Sequence, residues 1–278
     1  VLADPVAGNA RYQAQVTQTA KDIPGYTLVS AENQAITIAI EDPDNVASKN
    51  VRTFYYTEQE VTINYQVVGP TGCGTVTPAN ETVKVINGTV NGSTPTATDG
   101  FRFVGWFKDA NCTQPVEASW VDASNKLMPS KTAKYGEKDG YEAAIYYAKF
   151  AEALTSLTIK KDYTGGAPMD PNQSAVFVVT GDGLGTEGLT VVLNCGNSYQ
   201  VTINGLKVGK VYTVTEKNTW TWRYTRENVS HANGSITLKA DGNNKVEFTN
   251  TLNNGYWLTG GAYCDNRWAG GSTDSKTK

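Results

Sequence analysis

Apolar and polar residues alternate with a period of two along most of this 278-residue chain, and no other feature constrains its fold as strongly. The pattern runs through Val61-Thr-Ile-Asn-Tyr-Gln-Val67, Leu157-Thr-Ile-Lys-Lys161, Tyr199-Gln-Val-Thr-Ile203, Val211-Tyr-Thr-Val-Thr215 and Lys245-Val-Glu-Phe-Thr249. An apolar residue at every second position marks a half-buried strand, because successive side chains point to opposite faces. Between these runs lie Asn87-Gly88, Asn91-Gly92, Asp99-Gly100, Asn204-Gly205, Asn233-Gly234 and Asp241-Gly242, the residue pairs that tight turns require. Helical periodicity is confined to two short stretches, around Thr19 to Asp22 and Pro115 to Ser119. Short, evenly spaced strands predict a mainly β protein of small sandwiches or grasps in tandem, not one large barrel.

Composition removes several classes of function. With 24 Lys and Arg against 27 Asp and Glu, the net charge of −3 offers no electrostatic basis for binding nucleic acid or an anionic membrane surface. No apolar run reaches the roughly 18 residues that a membrane span needs. The single histidine, His231, rules out paired-histidine chemistry and reads as a surface residue beside a turn. None of the four cysteines forms a CxxC pair, so no zinc or redox motif is present. Gly181-Asp-Gly-Leu-Gly-Thr-Glu-Gly188 lacks the oxygen-ligand density of a calcium loop and reads as a strand connection. No metal, cofactor or enzymatic activity is expected.

Two breaks divide the chain. Tyr55 to Glu60 closes one apolar pattern before the alternation at Val61 opens the next, and Ala151-Glu-Ala-Leu154 separates two strand-like runs. The expected pieces are 1–58, 59–153 and 154–252, followed by a Gly-, Ser- and Asn-rich tail at 253–278 that reads as linker. Val1 does not look like a natural start, and the chain reads as an excerpt of a longer one.

Each piece resembles a known family. Gly25-Tyr26-Thr27-Leu28, Ile36-Thr-Ile38 and Val51-Arg-Thr-Phe-Tyr-Tyr-Thr57 resemble the mucin-binding-protein (MucBP) repeat of Gram-positive surface proteins. The Tyr-rich strand that precedes a Leu-Ala-Asp-Pro-like segment in that family is absent here, so the module either borrows a strand or is truncated. Val61 to Tyr65, Gly74-Thr-Val-Thr-Pro78 and Gly100-Phe-Arg-Phe-Val-Gly-Trp-Phe107 look like the internalin-type B repeat, a β-grasp-like module. Leu157-Thr-Ile-Lys-Lys161, Tyr212-Thr-Val-Thr-Glu216 and Val246-Glu-Phe-Thr-Asn250-Thr251 are similar to the collagen-adhesin B-type domains of pilins and adhesins, which are immunoglobulin-like sandwiches. The resemblance implies two β-grasp-like modules followed by a sandwich. It also implies an extracellular place on a Gram-positive cell wall.

Members of the B-type family often join a first-strand Lys to a last-strand Asn through an intramolecular isopeptide bond, assisted by an acidic residue on a middle strand. Strand parity supports the same residues here without the family. Leu157, Ile159 and Lys161 share one face, as do Tyr212, Val214 and Glu216, and Val246, Phe248 and Asn250. Each apolar stripe therefore ends in one polar residue on the buried side. Buried polar groups are costly unless they satisfy one another. Lys160 falls on the opposite, solvent face, which selects Lys161 as the amine. Desolvation favours the uncharged forms of amine and acid. The expected reaction is attack of the Lys161 amine on the Asn250 carboxamide, with Glu216 polarising the carbonyl and relaying protons to ammonia.

The remaining candidates are weaker. Cys73 and Cys112 lie in turn-like contexts of one piece, and an oxidising surface location favours a disulfide between them, with buried free thiols as the alternative. Cys195 and Cys264 form the second candidate pair, which would tie the tail to the third piece. Trp220, Trp222 and Tyr224 share a strand face and could contact a ligand, or could pack against a neighbouring module. The function expected is a structural stalk of a surface adhesin, monomeric and stiffened by its own cross-link. The alternative is a module that itself binds a host glycan or extracellular protein.

Overall fold

The computed structural model describes residues 1–40, 50–164, 174–217 and 224–252. The chain is mainly β and separates into two compact units, one formed by Val1–Thr98 with Arg102–Ala151 and the other by Asp99–Phe101 with Glu152–Lys278. Among the described residues no helix is long and apolar enough to cross a membrane.

The first unit begins with four short strands, β1 (Gln15–Thr19), β2 (Tyr26–Leu28), β3 (Asn33–Thr37) and β4 (Tyr56–Glu58). They form two antiparallel ribbons, β1 with β3 and β2 with β4. Thr19 therefore ends a strand, where the sequence had suggested a helical turn. Only Gly25 and Ile36 are buried among the described residues of 1–58. So small a core cannot hold the ribbons by itself, and the β2–β4 ribbon packs against the segment around Ile86 in the same unit. Gly25 adopts φ +82°, and a Cβ there would come within 2.8 Å of Ile86. The Glu58 carboxylate accepts backbone N–H bonds from Ile86 and Asn87, both at 2.7 Å.

The same unit contains eight more strands: β5 (Glu60–Val68), β6 (Gly74–Thr77), β7 (Asn80–Lys84), β8 (Thr94–Ala97), β9 (Phe101–Phe107), β10 (Ala133–Tyr135), β11 (Lys138–Gly140) and β12 (Ala144–Glu152). The main sheet has the order β7-β5-β12-β9, with β5 and β12 parallel at its centre. Two central parallel strands flanked by β7 and β9 give the strand order of a β-grasp sheet. The alternation read from Val61 to Val67 puts Ile63 and Tyr65 inward, where Tyr65 meets Trp106 edge-on and stacks on Tyr146. Trp120, carried by a single 3-10 turn at Ala118–Trp120, closes the same core against Tyr146. Phe103 and Trp106 of the Phe101–Phe107 motif thus serve packing, through Phe103 against Phe150 and Trp106.

The second unit is a sandwich of eight strands: β13 (Leu154–Thr164), β14 (Ser174–Gly181), β15 (Leu189–Asn194), β16 (Gln200–Lys207), β17 (Val211–Glu216), β18 (Tyr224–Val229), β19 (Ser235–Thr237) and β20 (Lys245–Leu252). One sheet has the order β16-β13-β20-β18 and the other β15-β14-β17-β19. The first strand, β13, pairs in parallel with the last, β20, and all other pairings in both sheets are antiparallel. The core between the sheets contains Leu157, Ile159, Phe177, Leu193, Tyr212, Val214, Val246 and Phe248, all essentially inaccessible to water. Burying each such large apolar side chain contributes roughly 1.5–3 kcal/mol. Phe177 and Phe248 meet across the core with ring centroids 4.9 Å apart. Tyr212 has its hydroxyl satisfied at the core's edge, donating to the Asp182 carbonyl and accepting from the Lys207 N–H. The outer face of the β13–β20 pair is polar, with Lys160 bridging Asp162 and Glu247, and Lys245 pairing Glu247.

Candidate functional site

Three polar side chains interrupt the core of the sandwich. Lys161 continues the inward stripe of Leu157 and Ile159 on β13, Glu216 ends the stripe of Tyr212 and Val214 on β17, and Asn250 ends that of Val246 and Phe248 on β20. Register brings the strands together. In the parallel pair Lys161 lies opposite Phe248, and Tyr163 lies opposite Asn250. Lys161 and Asn250 are therefore same-face neighbours on the diagonal of one sheet. Glu216 arrives from the facing sheet, where its backbone partner is Phe177.

The three groups meet at one oxygen. Lys161 Nζ donates to Glu216 Oε1 at 2.7 Å, and Asn250 Nδ2 donates to the same Oε1 at 3.0 Å. The side chains of the ion pair are 0% and 1% exposed. Two acceptors of the cluster, Glu216 Oε2 and Asn250 Oδ1, are buried with no hydrogen-bond partner among the described residues. An ion pair taken out of water loses hydration worth several kcal/mol per ion, and only complete hydrogen bonding offsets that loss. Among the described residues, the acceptors of Glu216 and Asn250 are incompletely bonded.

One flanking residue escaped the sequence analysis. Tyr163 places its ring face 5.2 Å from Lys161 Nζ, and Tyr199 meets that ring edge-on at 5.9 Å. The signal was available, since Tyr163 is the next step of the stripe that contains Lys161. Lys160 takes the opposite side of the strand. Its hydrogen bond from Nζ to Asp162, reinforced by the charges of Asp162 and Glu247, raises its pKa above the ordinary lysine value.

The other candidates do not converge on this site. Cys73 and Cys112 are buried free thiols, which corrects the expected disulfide. Each is held in its own turn: the Cys73 N–H bonds to the Pro70 carbonyl, and the Cys112 N–H to that of Asp109. Burial pushes the Cys112 thiol pKa up, with Asp109 adding to the rise against the pull of Lys149. Cys195 is an exposed free thiol. Cys264, Trp220 and Trp222 lie outside the described residues. Tyr224 opens β18, opposite Leu252, and only its backbone is described. In the Gly181–Gly188 connection the Asp182 carboxylate pairs with Lys207 at 2.9 Å. No group of three or more His, Cys, Asp and Glu side chains that could hold a metal occurs among the described residues. His231 shares a 2.9 Å hydrogen bond with the Ser230 hydroxyl at the surface.

Comparison with known proteins gives two family matches. Residues 1–66 match the MucBP domain, and residues 157–253 match a family described as a domain of unknown function, DUF5979. No match is found among curated proteins. Solved structures that overlap the chain include the major pilin of Streptococcus pyogenes, at 15% identity over 69% of this chain and 97% of the pilin, with a TM-score of 0.32. Two B repeat units of the collagen binding protein of Staphylococcus aureus overlap at 12% identity over 80% of this chain and 88% of theirs, with a TM-score of 0.27. A pilus-presented adhesin, Spy0125 (Cpa), overlaps at 18% identity over 41% of this chain, with a TM-score of 0.28, and the chain spans about a third of that protein's length (33%).

Proposed function

We propose that this chain, whose first 66 residues match the MucBP domain, is part of an extracellular bacterial surface protein in which the last sandwich cross-links itself through Lys161 and Asn250. One observation carries the reading: a single carboxylate oxygen, Glu216 Oε1, touches both the amine that would attack and the amide nitrogen that would leave. A proton passing from the Lys161 ammonium to Glu216 converts a buried ion pair into a neutral amine and a neutral acid. The Lys161 nitrogen then attacks Asn250 Cγ. The new N–Cγ bond forms, the Cγ–Nδ2 bond breaks, and a second proton from the amine reaches Nδ2 so that ammonia departs. A proton on the carboxyl also gives the two unpartnered acceptors, Glu216 Oε2 and Asn250 Oδ1, the donor they lack. That hydrogen bond would polarise the carbonyl under attack.

The reaction would be favoured by its surroundings as well as by proximity. Condensation replaces an ammonium with an uncharged amide and so removes the cost of a buried cation. The Tyr163 ring closes one side of the amine. The bond would enclose some 90 residues and restrict the unfolded chain by about 4 kcal/mol, by analogy with a disulfide loop of that length. Its mechanical effect would be larger, since the neighbouring first and last strands could no longer be drawn apart.

In this reading the pieces 1–58, 59–153 and 154–252 are successive modules of a stalk, the middle one resting on its internalin-type motif. The sandwich resists tension, and the protein as a whole engages a host glycan or an extracellular protein at the cell surface. The test is the intact mass of the purified chain under reducing conditions. A deficit of about 17 Da, one ammonia, is expected. It should be absent from Lys161→Ala and from Glu216→Ala. A mass equal to that of the unmodified sequence would remove the cross-link and leave the three residues as a structural cluster.

A further inference from the structure

We propose that Glu58 is an acid-released latch that fixes the β2–β4 ribbon to the turn following β7. This does not depend on the Lys161–Asn250 reading, and both parts belong to the first compact unit. Glu58 ends β4, and β5 begins at Glu60. Its Oε1 accepts the N–H groups of Ile86 and Asn87, both at 2.7 Å, and its Oε2 accepts Asn87 Nδ2 at 2.8 Å. One side chain therefore closes three hydrogen bonds across the joint, with partners 28 and 29 residues further along the chain. Asp109 and Asp122 also collect backbone N–H bonds, but from residues at most 5 positions away, so they shape only their own turns.

The rest of the joint is neutral and small. No residue of β2 or β4 is buried. Gly25, just before β2, closes against Ile86, Val85 and Tyr135, and a Cβ there would come within 2.8 Å of the first and 3.2 Å of the other two. The Gly25 carbonyl accepts the Gln59 N–H at 2.9 Å, and the Gln59 carbonyl accepts the Val85 N–H at 3.0 Å. Tyr26 Oη accepts Asn87 Nδ2 at 3.3 Å. A ribbon with so little apolar burial of its own takes its place on the neighbouring turn through polar contacts, and opens locally when they are lost. Glu58 supplies the charged ones, which are the stronger kind of hydrogen bond.

Acid weakens these bonds. Burial pushes the Glu58 carboxyl up, but the hydrogen bonds from Asn87 and Ile86 and the charge of Lys84 outweigh it and hold the group below the ordinary glutamate value. A carboxyl held low stabilises the closed joint at neutral pH, and that contribution is lost as pH falls through its folded value. Release therefore falls in acid, below about 4. The other ionisable groups around the joint are Lys84, Glu60, Tyr26, Tyr135 and Lys131, whose Nζ donates to the Ile86 carbonyl. Lysine and tyrosine do not change charge in acid. Glu60 does, but it is exposed and lies opposite Lys84 in the β5–β7 pair. The acid response of the joint is thus assigned to Glu58.

The experiment is hydrogen exchange on the full chain, following the amides of Ile86 and Asn87 from about pH 7 to about pH 3, with each rate divided by that of the unfolded chain at the same pH. In the wild type their protection should fall about tenfold across the acid range, while the amides of β5 stay protected. Glu58→Gln should hold protection at one level throughout, and Glu60→Gln should keep the wild-type profile. Asn87→Asp sets a second carboxylate beside Glu58 and should move the loss to higher pH, because like charges favour protonation. Constant protection of Ile86 and Asn87 in the wild type would overturn the latch. So would an acid loss that persists in Glu58→Gln, which would assign it to another group, or one shared by β5, which would be unfolding of the whole unit.

Discussion

Two buried asparagines sit near the two ends of the same strand of the sandwich, and they behave as opposites. Asn244 precedes β20 and is 3% exposed, while Asn250 near the end of β20 is 1% exposed. The Asn244 side chain is fully employed. Its Oδ1 accepts the Lys239 N–H at 2.7 Å, and its Nδ2 donates to Thr155 Oγ1 and to the carbonyls of Ser156 and Lys239. It ties the start of β20 to the start of β13 with neutral hydrogen bonds. Asn250 donates to one carboxylate oxygen and leaves its carbonyl without a partner among the described residues. Burial is common to both and does not distinguish them. The difference lies in the partners. A carboxamide surrounded by backbone groups is a structural tie, whereas one sharing an acid with a buried amine has the arrangement that the proposed cross-link requires.

Four changes would break or sharpen this contrast. The largest effect is expected from Glu216→Ala, which removes the Glu216 carboxylate from beside the buried Lys161 and would stop the proposed cross-link. Denaturant unfolding should show a loss of at least about 4 kcal/mol, accompanied by disappearance of the ammonia deficit. Next is Asn244→Ala, which strands the Lys239 N–H and removes donors from three acceptors. A loss of about 2–3 kcal/mol is expected, with the ammonia deficit fully retained. If that deficit vanished as well, the two ends of β20 would not be independent.

Asn250→Asp sharpens the contrast at little cost in stability. An acid at this position should condense with Lys161 by losing water, so the deficit should change from about 17 to about 18 Da while the unfolding temperature stays close to that of the wild type. The smallest effect belongs to a surface counterpart of the buried pair. Lys207 bonds both Glu152 and Asp182 at 2.9 Å. The hydrogen bond and charge of Lys207 hold the Asp182 carboxyl below its ordinary range. A lowered acid contributes stability above its unfolded pKa and loses it as pH falls through the folded value. Thermal melts of Lys207→Met should therefore differ from wild type at neutral pH and converge with it in acid. The difference should shrink in high salt, because exposed pairs are screened.

The site was largely legible in the sequence because strand parity is a local property. Counting by twos from Leu157, Tyr212 and Val246 reaches Lys161, Glu216 and Asn250, and the same count rejects Lys160. One further step from Lys161 reaches Tyr163. Asn244 gave no such signal, since it sits in a turn before its strand and its partners, Thr155 and Ser156, are nearly 90 residues away. The cysteines illustrate the opposite limit. Sequence context made Cys73 and Cys112 look alike, as two turn residues of one module, but it contains no distance between two turns.

What the sequence determined by itself was the alternation, and with it the β class and the inward or outward sense of each side chain. Those properties depend on backbone geometry and on a residue's immediate neighbours. Only the tertiary structure decided that β13 and β20 run side by side in parallel, in the register that sets Asn250 diagonal to Lys161, and that β17 faces them with Glu216. Pairing and register are fixed by closing a core between two sheets. Every strand must fit its inward face to the others at once, and no single strand carries that information.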